Sequence, residues 1–441
     1  MEKKEKTMLL NVGPSHPAMH GVIQIKVDLD GELIREADVE IGYLHRAFEK
    51  HCETGTYTQC FPYTDRLNYV SPLINNFGFA AAVEKLMGLK VPERCEYIRV
   101  IMSEISRVCD HLTCIGASAM ELGAFSVFLY MIKAREWLWE LVENVTGARL
   151  TISYGRIGGV KADLPEGFED HCRRVLIKTR EVLKEIDSLL TRNRIFYDRM
   201  RGTGVITADE AIAFGITGPF LRSTGVDYDV RKAFPYHVYD RLDFDIPIGE
   251  KGDNYDRYLV RMEEMEQSIR IVEQALDAIP EGATNVDAEG RVIDADLMAD
   301  LGKFGKTAGL LKNEVLIEPT LEGSQKRYHD RVNAADADAW LPAKEEVYSN
   351  IEALMNHFKI IMDGHGIRPP KGEIYYPVEG GNGELGFYIV SDGTDRPWRV
   401  RCHPPCFPIM AALRNIIVGE QIADLIPTFG SVNMIAGELD R

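Results

Sequence analysis

The chain has 441 residues, of which 45% are hydrophobic and 9% aromatic, so it can bury a sizeable core and is not a disordered protein. Its formal net charge of −17 argues against nucleic acid as a partner, because phosphate binding needs a basic face. The length permits two or three domains or one large globule, and the charged start, MEKKEKTMLLNVG, contains no signal-peptide pattern.

Two histidines stand close together near the start of the chain, in the stretch GPSHPAMHG. On a helix, His16 and His20 would share one face, as paired zinc ligands do in helical metal motifs. The prolines and glycines around them disfavour a helix, so we predict a loop. Residues 22–42 alternate apolar and polar side chains on both sides of Asp30 and Gly31, which predicts a β-hairpin. The histidines therefore lie on a loop that enters a small β-sheet.

A second polar stretch, YTDRLNYVS, spans residues 63–71 and contains Asp65, Arg66 and Tyr69. Taken alone, it predicts an ordinary turn in which Asp65 and Arg66 form a surface ion pair, since exposed ion pairs are common. The stretch lies between the predicted sheet and a helical region, so a functional loop is the other interpretation.

From about residue 76 to residue 280 the pattern is helical, and its long amphipathic stretches predict a bundle core. One apolar run, residues 113–132, is long enough to span a membrane but carries Glu121 near its middle. We interpret this run as the end of one buried helix, a break near Gly123 and the start of another helix. Glu121 is either a functional buried acid or a helix-end residue that faces solvent.

The remaining sequence divides into two parts. Residues 281–342 are rich in Asp, Ala and Gly and predict a surface insertion between the helical core and residues 343–441. The C-terminal part predicts a helix over residues 345–364, strands in GEIYYPVE and LGFYIVSDG, and a final helix through 410–426. The last residues, GELDR, predict a charged and solvated tail. Four regions result: a β-rich 1–75, a helical core 76–280, the insertion, and an α/β region 343–441 that completes the core.

Eight cysteines are present, but no two form a CxxC pair. In a long chain without an export signal, this predicts reduced thiols in a cytoplasmic protein. The stretch CHPPC places Cys402, His403 and Cys406 together and could be half of a zinc site. An obvious second half is missing from the sequence, so we predict no metal there and treat the thiols of Cys402 and Cys406 as incidental.

Motifs along nearly the whole chain resemble one family, the large quinone-site subunits of respiratory complex I, also called the 49-kDa type. The matching stretches, in chain order, are NVGPSHPAMHGV, IGYLHRAFEK, YTDRLNYV, EISRVCDHL, VTGARL, RIGGVKADLPEGF, ITGPFLRSTGVDYDVRKAFPY, GDNYDRYLVRMEEMEQSIRI, LMNHFK, ELGFYIVSDGTDRPWRVR and GELDR. The resemblance implies an α+β fold like that of nickel–iron hydrogenase large subunits. This fold has a large helical-bundle core, a small N-terminal β-sheet and C-terminal strands.

By this resemblance, His20 and Tyr69 hydrogen-bond the quinone head group, and Glu121 stands beside the histidine where the family usually has aspartate. The family likeness also places Arg46 and Arg66 near a 4Fe–4S cluster of a neighbouring small subunit. His16 is then a structural residue of the loop. Thr151 stands where many members have a histidine near the cluster.

The related hydrogenases provide the alternative interpretation. They bind their metal with two pairs of cysteines, one near each end of the chain, and thiolates suit that chemistry. Here the two corresponding stretches, residues 66–71 and 437–441, contain no cysteine. A membrane-bound, hydrogenase-related complex that uses ferredoxin or another donor remains the alternative function, and a non-catalytic scaffold is a third.

The resemblance implies the quinone-binding catalytic subunit of a proton-pumping NADH:quinone oxidoreductase. Quinone is then the substrate, and this chain alone holds no cofactor, because the 4Fe–4S cluster and the NADH and FMN sites belong to partner subunits. The expected partners are the small cluster-bearing subunit, a C-type protein of the peripheral arm and the membrane-arm subunits. The expected location is the cytoplasmic side of the bacterial inner membrane, with attachment through those partners.

Overall fold

A computed structural model describes residues 7–286 and 367–441, together with 292–293, 348–349, 351, 354–355 and 358. The predicted helix over residues 345–364 and the predicted insertion at 281–342 therefore lie mostly outside the described residues.

Small antiparallel strands and a large set of helices make up the described chain. The strands are β1 Met8–Val12, β2 Gln24–Asp30, β3 Leu33–Glu40, β4 Gly155–Arg156, β5 Gly159–Val160, β6 Asn285–Val286, β7 Val292–Ile293, β8 Gly372–Glu379, β9 Glu384–Ser391 and β10 Arg399–His403. The helices are α1 Phe48–Thr54, α2 Phe61–Asp65, α3 Pro72–Met87, α4 Glu93–Glu121, α5 Phe125–Thr146, α6 Phe168–Leu190, α7 Arg194–Met200, α8 Ala208–Phe214, α9 Gly218–Arg222, α10 Val230–Ala233, α11 Asn254–Ala278, α12 Cys406–Ile417, α13 Ile422–Val432 and α14 Ala436–Leu439. The α+β fold predicted from the sequence is confirmed.

The N-terminal sheet has the order β1-β2-β3, and its strands are antiparallel. The predicted hairpin is confirmed, because β2 pairs with β3 across a tight turn and Ile25, Val27 and Leu29 form its buried face. This alternation is what a sheet with one covered face requires. β3 packs against α12, so the sheet connects the N-terminal loop to the C-terminal helices.

The core is built around α4, whose 29 residues are buried along most of their length. The helices α3, α5, α11 and α13 pack against it. Ile98, Ile101, Ile105 and Leu112 lie in these contacts at the three- and four-residue spacing of a helix face. The predicted helical-bundle core is thus confirmed, with α4 at its centre.

The predicted break in the apolar run is also confirmed. α4 ends at Glu121, and Gly123 takes a φ of +88°, which glycine adopts at little cost, before α5 begins at Phe125. Among the residues that the structure describes, no helix is both long and apolar enough to cross a membrane.

Two predictions for the C-terminal region are wrong. The final helix is interrupted between α12 and α13, because the chain turns at Gly419 with a φ of +91°. The terminal residues are not a solvated tail, since Glu438 is 2% exposed and Asp440 is 5% exposed. The Asp440 carboxylate accepts hydrogen bonds from the backbone N–H groups of Gly42 and Leu44, at 2.8 and 2.7 Å. The C-terminus is therefore fixed to the segment that follows the N-terminal sheet.

A buried ion network links α4 to α9, α10, α11 and β8. It combines acidic and basic members, and every member is at most 2% exposed: Glu104, Arg107, His111, Arg222, Asp229, Arg231, Glu264 and Glu379. Arg222 bonds Glu264 and lies 2.9 Å from Glu379, and Arg231 lies 2.6 Å from Asp229. Burial alone would raise the pKa of Glu264, but the charges of Arg222 and Arg231 and the contact with His111 together outweigh it and hold that pKa below its usual range.

Removal of Arg222 should therefore destabilise the protein strongly. In Arg222→Met, the carboxylates of Glu264 and Glu379 lose their shared cation, and breaking a buried pair costs about 3–5 kcal/mol. The matched control is Arg173→Met, which removes a partly exposed arginine from its contacts with Glu169 and Asp277 and should cost less than about 1 kcal/mol. Urea denaturation of the purified chain measures both values, and equal losses would contradict this account of the network.

Candidate functional site

His20 and Glu121 lie next to each other at the end of α4. The loop before His20 forms a 3₁₀ turn, capped by His16, whose Nδ1 accepts a hydrogen bond from the Ala18 backbone N–H at 3.2 Å. His20 follows this turn in the left-handed conformation, with a φ of 48°. Its Nε2 lies 2.9 Å from Glu121 Oε1, and only 8% of the Glu121 side chain is exposed. Glu121 thus faces the histidine loop and not the solvent.

Helix α13 closes this pair from one side. The Phe429 ring meets the His20 ring edge-on, with 6.2 Å between their centroids. A Cβ placed on Gly430 would lie 2.7 Å from Glu121 Oε2, and Ser118 Oγ donates a hydrogen bond to the Gly430 carbonyl at 2.9 Å. The missing side chain at Gly430 is therefore what lets the carboxylate of Glu121 sit between α4 and α13.

Tyr69 lies on the loop between α2 and α3 and is half-buried. The guanidinium of Arg66 lies 4.7 Å from the centre of its ring, a cation–π distance. The predicted surface ion pair between Asp65 and Arg66 is wrong. Asp65 is buried and accepts hydrogen bonds from Asn76 Nδ2 at 2.6 Å and from the N–H and hydroxyl of Ser153 at 2.9 and 2.6 Å. Arg66 consequently forms no ion pair with Asp65 and is exposed beside Tyr69.

The C-terminal helix α14 touches both loops. A Cβ on Gly21, the residue after His20, would lie 3.0 Å from the Ala436 Cβ. A Cβ on Gly437 would lie 2.5 Å from the carbonyl oxygen of Arg66. The backbone of the chain end therefore packs between the His20 loop and the Tyr69 loop, and it brings the two predicted quinone ligands to the same short helix.

Arg46 and Arg66 form a positive patch, and neither forms an ion pair within the part of the chain that the structure describes. Burial lowers the pKa of Arg46, and the nearby charge of Arg66 lowers it further. Among the described residues, the buried Nη2 of Arg46 has no hydrogen-bond partner. Two guanidinium groups held this close favour an anionic or electron-rich group opposite them.

The remaining candidate residues do not form a metal site. Cys402 and Cys406 are buried, and burial raises the pKa of each thiol well above its usual range. Asn382 Nδ2 donates to Cys406 Sγ at 3.4 Å. Within residues 7–286 and 367–441, no three His, Cys, Asp or Glu side chains are arranged to hold a metal ion.

Sequence reasoning did not single out Asp110 or Asn433, and it interpreted Glu438 as part of a solvated tail. The structure places all three in one buried polar group beside the Tyr69 loop. Burial raises the pKa of Glu438 to about 7, and this carboxyl accepts a hydrogen bond from the Cys406 backbone N–H at 3.1 Å. The sequence offers one indirect signal for this buried group, because the turn that carries Tyr69 contains several side chains that need hydrogen-bond partners.

Comparison with known proteins decides the family. The model of a family described as "Respiratory-chain NADH dehydrogenase, 49 Kd subunit" matches residues 121–441. The chain belongs to this family. It is 51% identical over 436 residues to the D subunit of NADH-quinone oxidoreductase from Myxococcus xanthus (strain DK1622), covering 99% of this chain and 93% of the relative. It is 49% identical over 442 residues to the D subunit numbered 1 of the same enzyme from Sorangium cellulosum (strain So ce56), covering 100% and 97%.

A third relative carries two subunit names in one chain. The protein is 44% identical over 437 residues to the C/D subunit of NADH-quinone oxidoreductase from Bdellovibrio bacteriovorus (strain ATCC 15356 / DSM 50701 / NCIMB 9529 / HD100), covering 99% of this chain and 69% of the relative. The family predicted from the motifs is therefore confirmed, and with it the oxidoreductase complex to which this chain contributes.

The close approach at Gly430 gives a structural prediction for this family member. In Gly430→Ala, the new methyl group would meet Glu121 Oε2, and the flexible end of that side chain should swing away from His20. Overpacking in a fitted contact costs about 1–3 kcal/mol, and we expect a loss at the lower end because the side chain can move. A structure of the variant in the assembled complex measures the separation of His20 Nε2 and Glu121 Oε1.

The control for this substitution is Gly372→Ala, whose new Cβ would meet only the far end of Leu86. It should leave the His20–Glu121 pair in place. A Gly430→Ala structure that retains the 2.9 Å separation would show that Gly430 does not determine the position of Glu121.

Proposed function

We propose that this chain is the quinone-binding catalytic subunit of a proton-pumping NADH:quinone oxidoreductase, with His20 and Tyr69 as the ligands of the quinone head group. The observation that carries the proposal is the packing of both loops against α14, in a chain of the 49-kDa family. Its relatives are named as D subunits of NADH-quinone oxidoreductase, which supports the activity of the whole complex.

The chemistry of quinone reduction suits these side chains. Conversion of a quinone to a quinol takes up two electrons and two protons, so each carbonyl oxygen needs a nearby proton donor. The phenol of Tyr69 donates a hydrogen bond to one oxygen, and an imidazole, which ordinarily titrates near neutral pH, serves the other. Glu121, 2.9 Å from His20 Nε2, orients the imidazole.

The electrons are supplied by a 4Fe–4S cluster in a neighbouring small subunit. Arg46 and Arg66 face this cluster in the proposal, because their charges are not neutralised within the described residues and positive charge favours a reduced cluster. All eight cysteines of this chain are free and buried. The chain contributes substrate position and proton donors, and its partners contribute the redox groups.

The partners in the proposal are the small cluster-bearing subunit, a C-type protein of the peripheral arm and the subunits of the membrane arm. The relative from Bdellovibrio bacteriovorus combines the names C and D in one chain, which supports direct contact between the two types. The proposal also places this chain at the cytoplasmic side of the bacterial inner membrane, where the membrane-arm partners would hold it.

Substitution of the proposed ligands should impair quinone reduction selectively. Tyr69→Phe removes one hydrogen-bond donor, worth roughly 0.5–1.5 kcal/mol in ordinary binding and more if charge develops on the quinone oxygen. In the assembled complex, NADH:quinone turnover should fall for Tyr69→Phe and for His20→Ala, while electron transfer from NADH to ferricyanide should stay normal. The matched control is His16→Ala, which removes the turn cap from the same loop and should chiefly lower assembly. Normal quinone turnover in both ligand variants would refute the site.

The residue at position 151 should make the neighbouring cluster insensitive to pH. Thr151 is exposed on the loop before β4, and its hydroxyl does not titrate between about pH 6 and 8, whereas histidine does. We expect the midpoint potential of the nearest cluster to vary little over that range in redox titrations of the complex. Thr151→His should introduce a pH-dependent slope, and a steep slope in the unmodified complex would contradict this expectation.

A further inference from the structure

A single buried carboxylate, Asp110, connects the loop of Tyr69 to the end of α13, the helix that packs against His20. Asp110 lies on α4, eleven residues before Glu121 and roughly 16 Å from it along the helix. It is 0% exposed. Among the described residues, no basic side chain lies within ion-pair distance of it, so its position depends on neutral hydrogen-bond donors. A buried carboxylate without such donors would be strongly unfavourable.

Two of these donors hold the loop of Tyr69. Asn68 Nδ2 and Ser71 Oγ donate to the same oxygen, Asp110 Oδ2, at 2.7 and 2.8 Å. Asn68 Oδ1 also accepts from the backbone N–H groups of Val70 and Ser71, at 3.2 and 3.4 Å. Asn68 and Ser71, on the two sides of Tyr69, therefore bond the same oxygen atom of Asp110, and the side chain of Asn68 also closes the turn. This arrangement fixes the backbone from which the tyrosine ring projects.

The third donor holds the opposite side of the site. Asn433 Nδ2 donates to Asp110 Oδ1 at 2.9 Å and to Asn382 Oδ1 at 2.5 Å. Asn433 follows α13 directly, and α13 carries Phe429 and Gly430, which contact His20 and border Glu121. Asp110 Oδ2 thus accepts hydrogen bonds from the Tyr69 loop. Asp110 Oδ1 accepts a hydrogen bond from the end of α13, the helix against which the His20–Glu121 pair packs.

We propose that Asp110 is a positioning residue that fixes the Tyr69 hydroxyl relative to His20 and Glu121, and so sets the rate of quinone reduction without contact with the quinone. This inference rests on the proposed function of Tyr69. It assigns to α4 the role of a fixed spacer, with Glu121 on the helix itself and Tyr69 attached to it through Asp110.

The substitution Asp110→Asn tests this role because it keeps the shape but disturbs the pattern of donors and acceptors. The amide group of the new asparagine would face either the amide of Asn433 or the donors of the Tyr69 loop, so one contact becomes donor against donor. We expect kcat/KM for a short-chain quinone to fall about three- to tenfold in the assembled complex, with unchanged reduction of ferricyanide by NADH.

The double variant Asp110→Asn/Asn433→Asp should restore activity to within about twofold of the unmodified complex. Its carboxylate at position 433 accepts from the amide at position 110, whose carbonyl oxygen remains available to Asn68 and Ser71. Asn382 can turn its amide to donate to the new carboxylate, and it then gives up its weak hydrogen bond to Cys406 Sγ. If position 110 needed only a negative charge, this exchange would not restore activity. Recovery therefore distinguishes positioning through hydrogen bonds from a requirement for charge at that position.

A double-mutant cycle with Tyr69→Phe identifies the group through which Asp110 acts. If Asp110 positions the tyrosine hydroxyl, Asp110→Asn should lower quinone turnover no further once that hydroxyl has been removed. The matched control is Asp253→Asn, which alters an equally buried aspartate that caps α11 far along the chain. It should leave kcat/KM unchanged for every complex that assembles.

Each result supports or overturns the proposal. Loss in Asp110→Asn, recovery in the exchange variant and no additional loss on top of Tyr69→Phe support it. Additive effects, or reduced assembly with normal turnover per complex, overturn the role of Asp110 and leave the function of Tyr69 intact. Normal turnover in Tyr69→Phe itself overturns the proposed function and this inference together. If Asp110→Asn does not assemble, Ser71→Ala removes one of the same hydrogen bonds from the loop side and enters the same cycle.

Discussion

Buried charge on α4 is the constraint on which the rest of the structure depends. Within three turns this helix carries Glu104, Arg107, Asp110 and His111, each at most 1% exposed. A charge in such a position is tolerated only when hydrogen bonds or opposite charges surround it. The partners come from β8, α10, α11, the Tyr69 loop and the C-terminal segment. Elements that are distant in sequence are therefore fixed to one helix by the charges that the helix has to satisfy.

The contacts of α4 and its neighbours also hold the residues of the candidate site in place. Glu121 ends the same helix, and the His20 loop and α13 close around it. The C-terminus contributes twice: α14 packs between the two loops, and Asp440 is bonded to the backbone at Gly42 and Leu44. A site held through its supporting contacts in this way keeps its hydrogen-bond donors in place before a substrate arrives.

The parts of the fold that follow local rules could be predicted from the sequence. The hairpin, the helical core, the strands β8 and β9 and the break near Gly123 all carry period or turn signals. The solvated tail and the ion pair between Asp65 and Arg66 were wrong because their outcome depends on contacts far along the chain. Asp65 bonds Ser153, and Asp440 bonds a segment nearly 400 residues earlier. Asp110 carried no local signal, because an aspartate within a helical pattern is more often a solvated residue.

The same buried group bears on the relation to the hydrogenases, whose metal is held by thiolates at the corresponding stretches. Here Asn68 and Ser71 point N–H and O–H groups at Asp110, and Cys406 receives a hydrogen bond from Asn382. A metal ion requires lone pairs directed toward one point, whereas these groups direct hydrogen atoms toward one carboxylate. These donors therefore hold the protein's own loop and do not form a set of metal ligands. Asn68 and Ser71 lie in the first of these stretches and hold the backbone on each side of Tyr69.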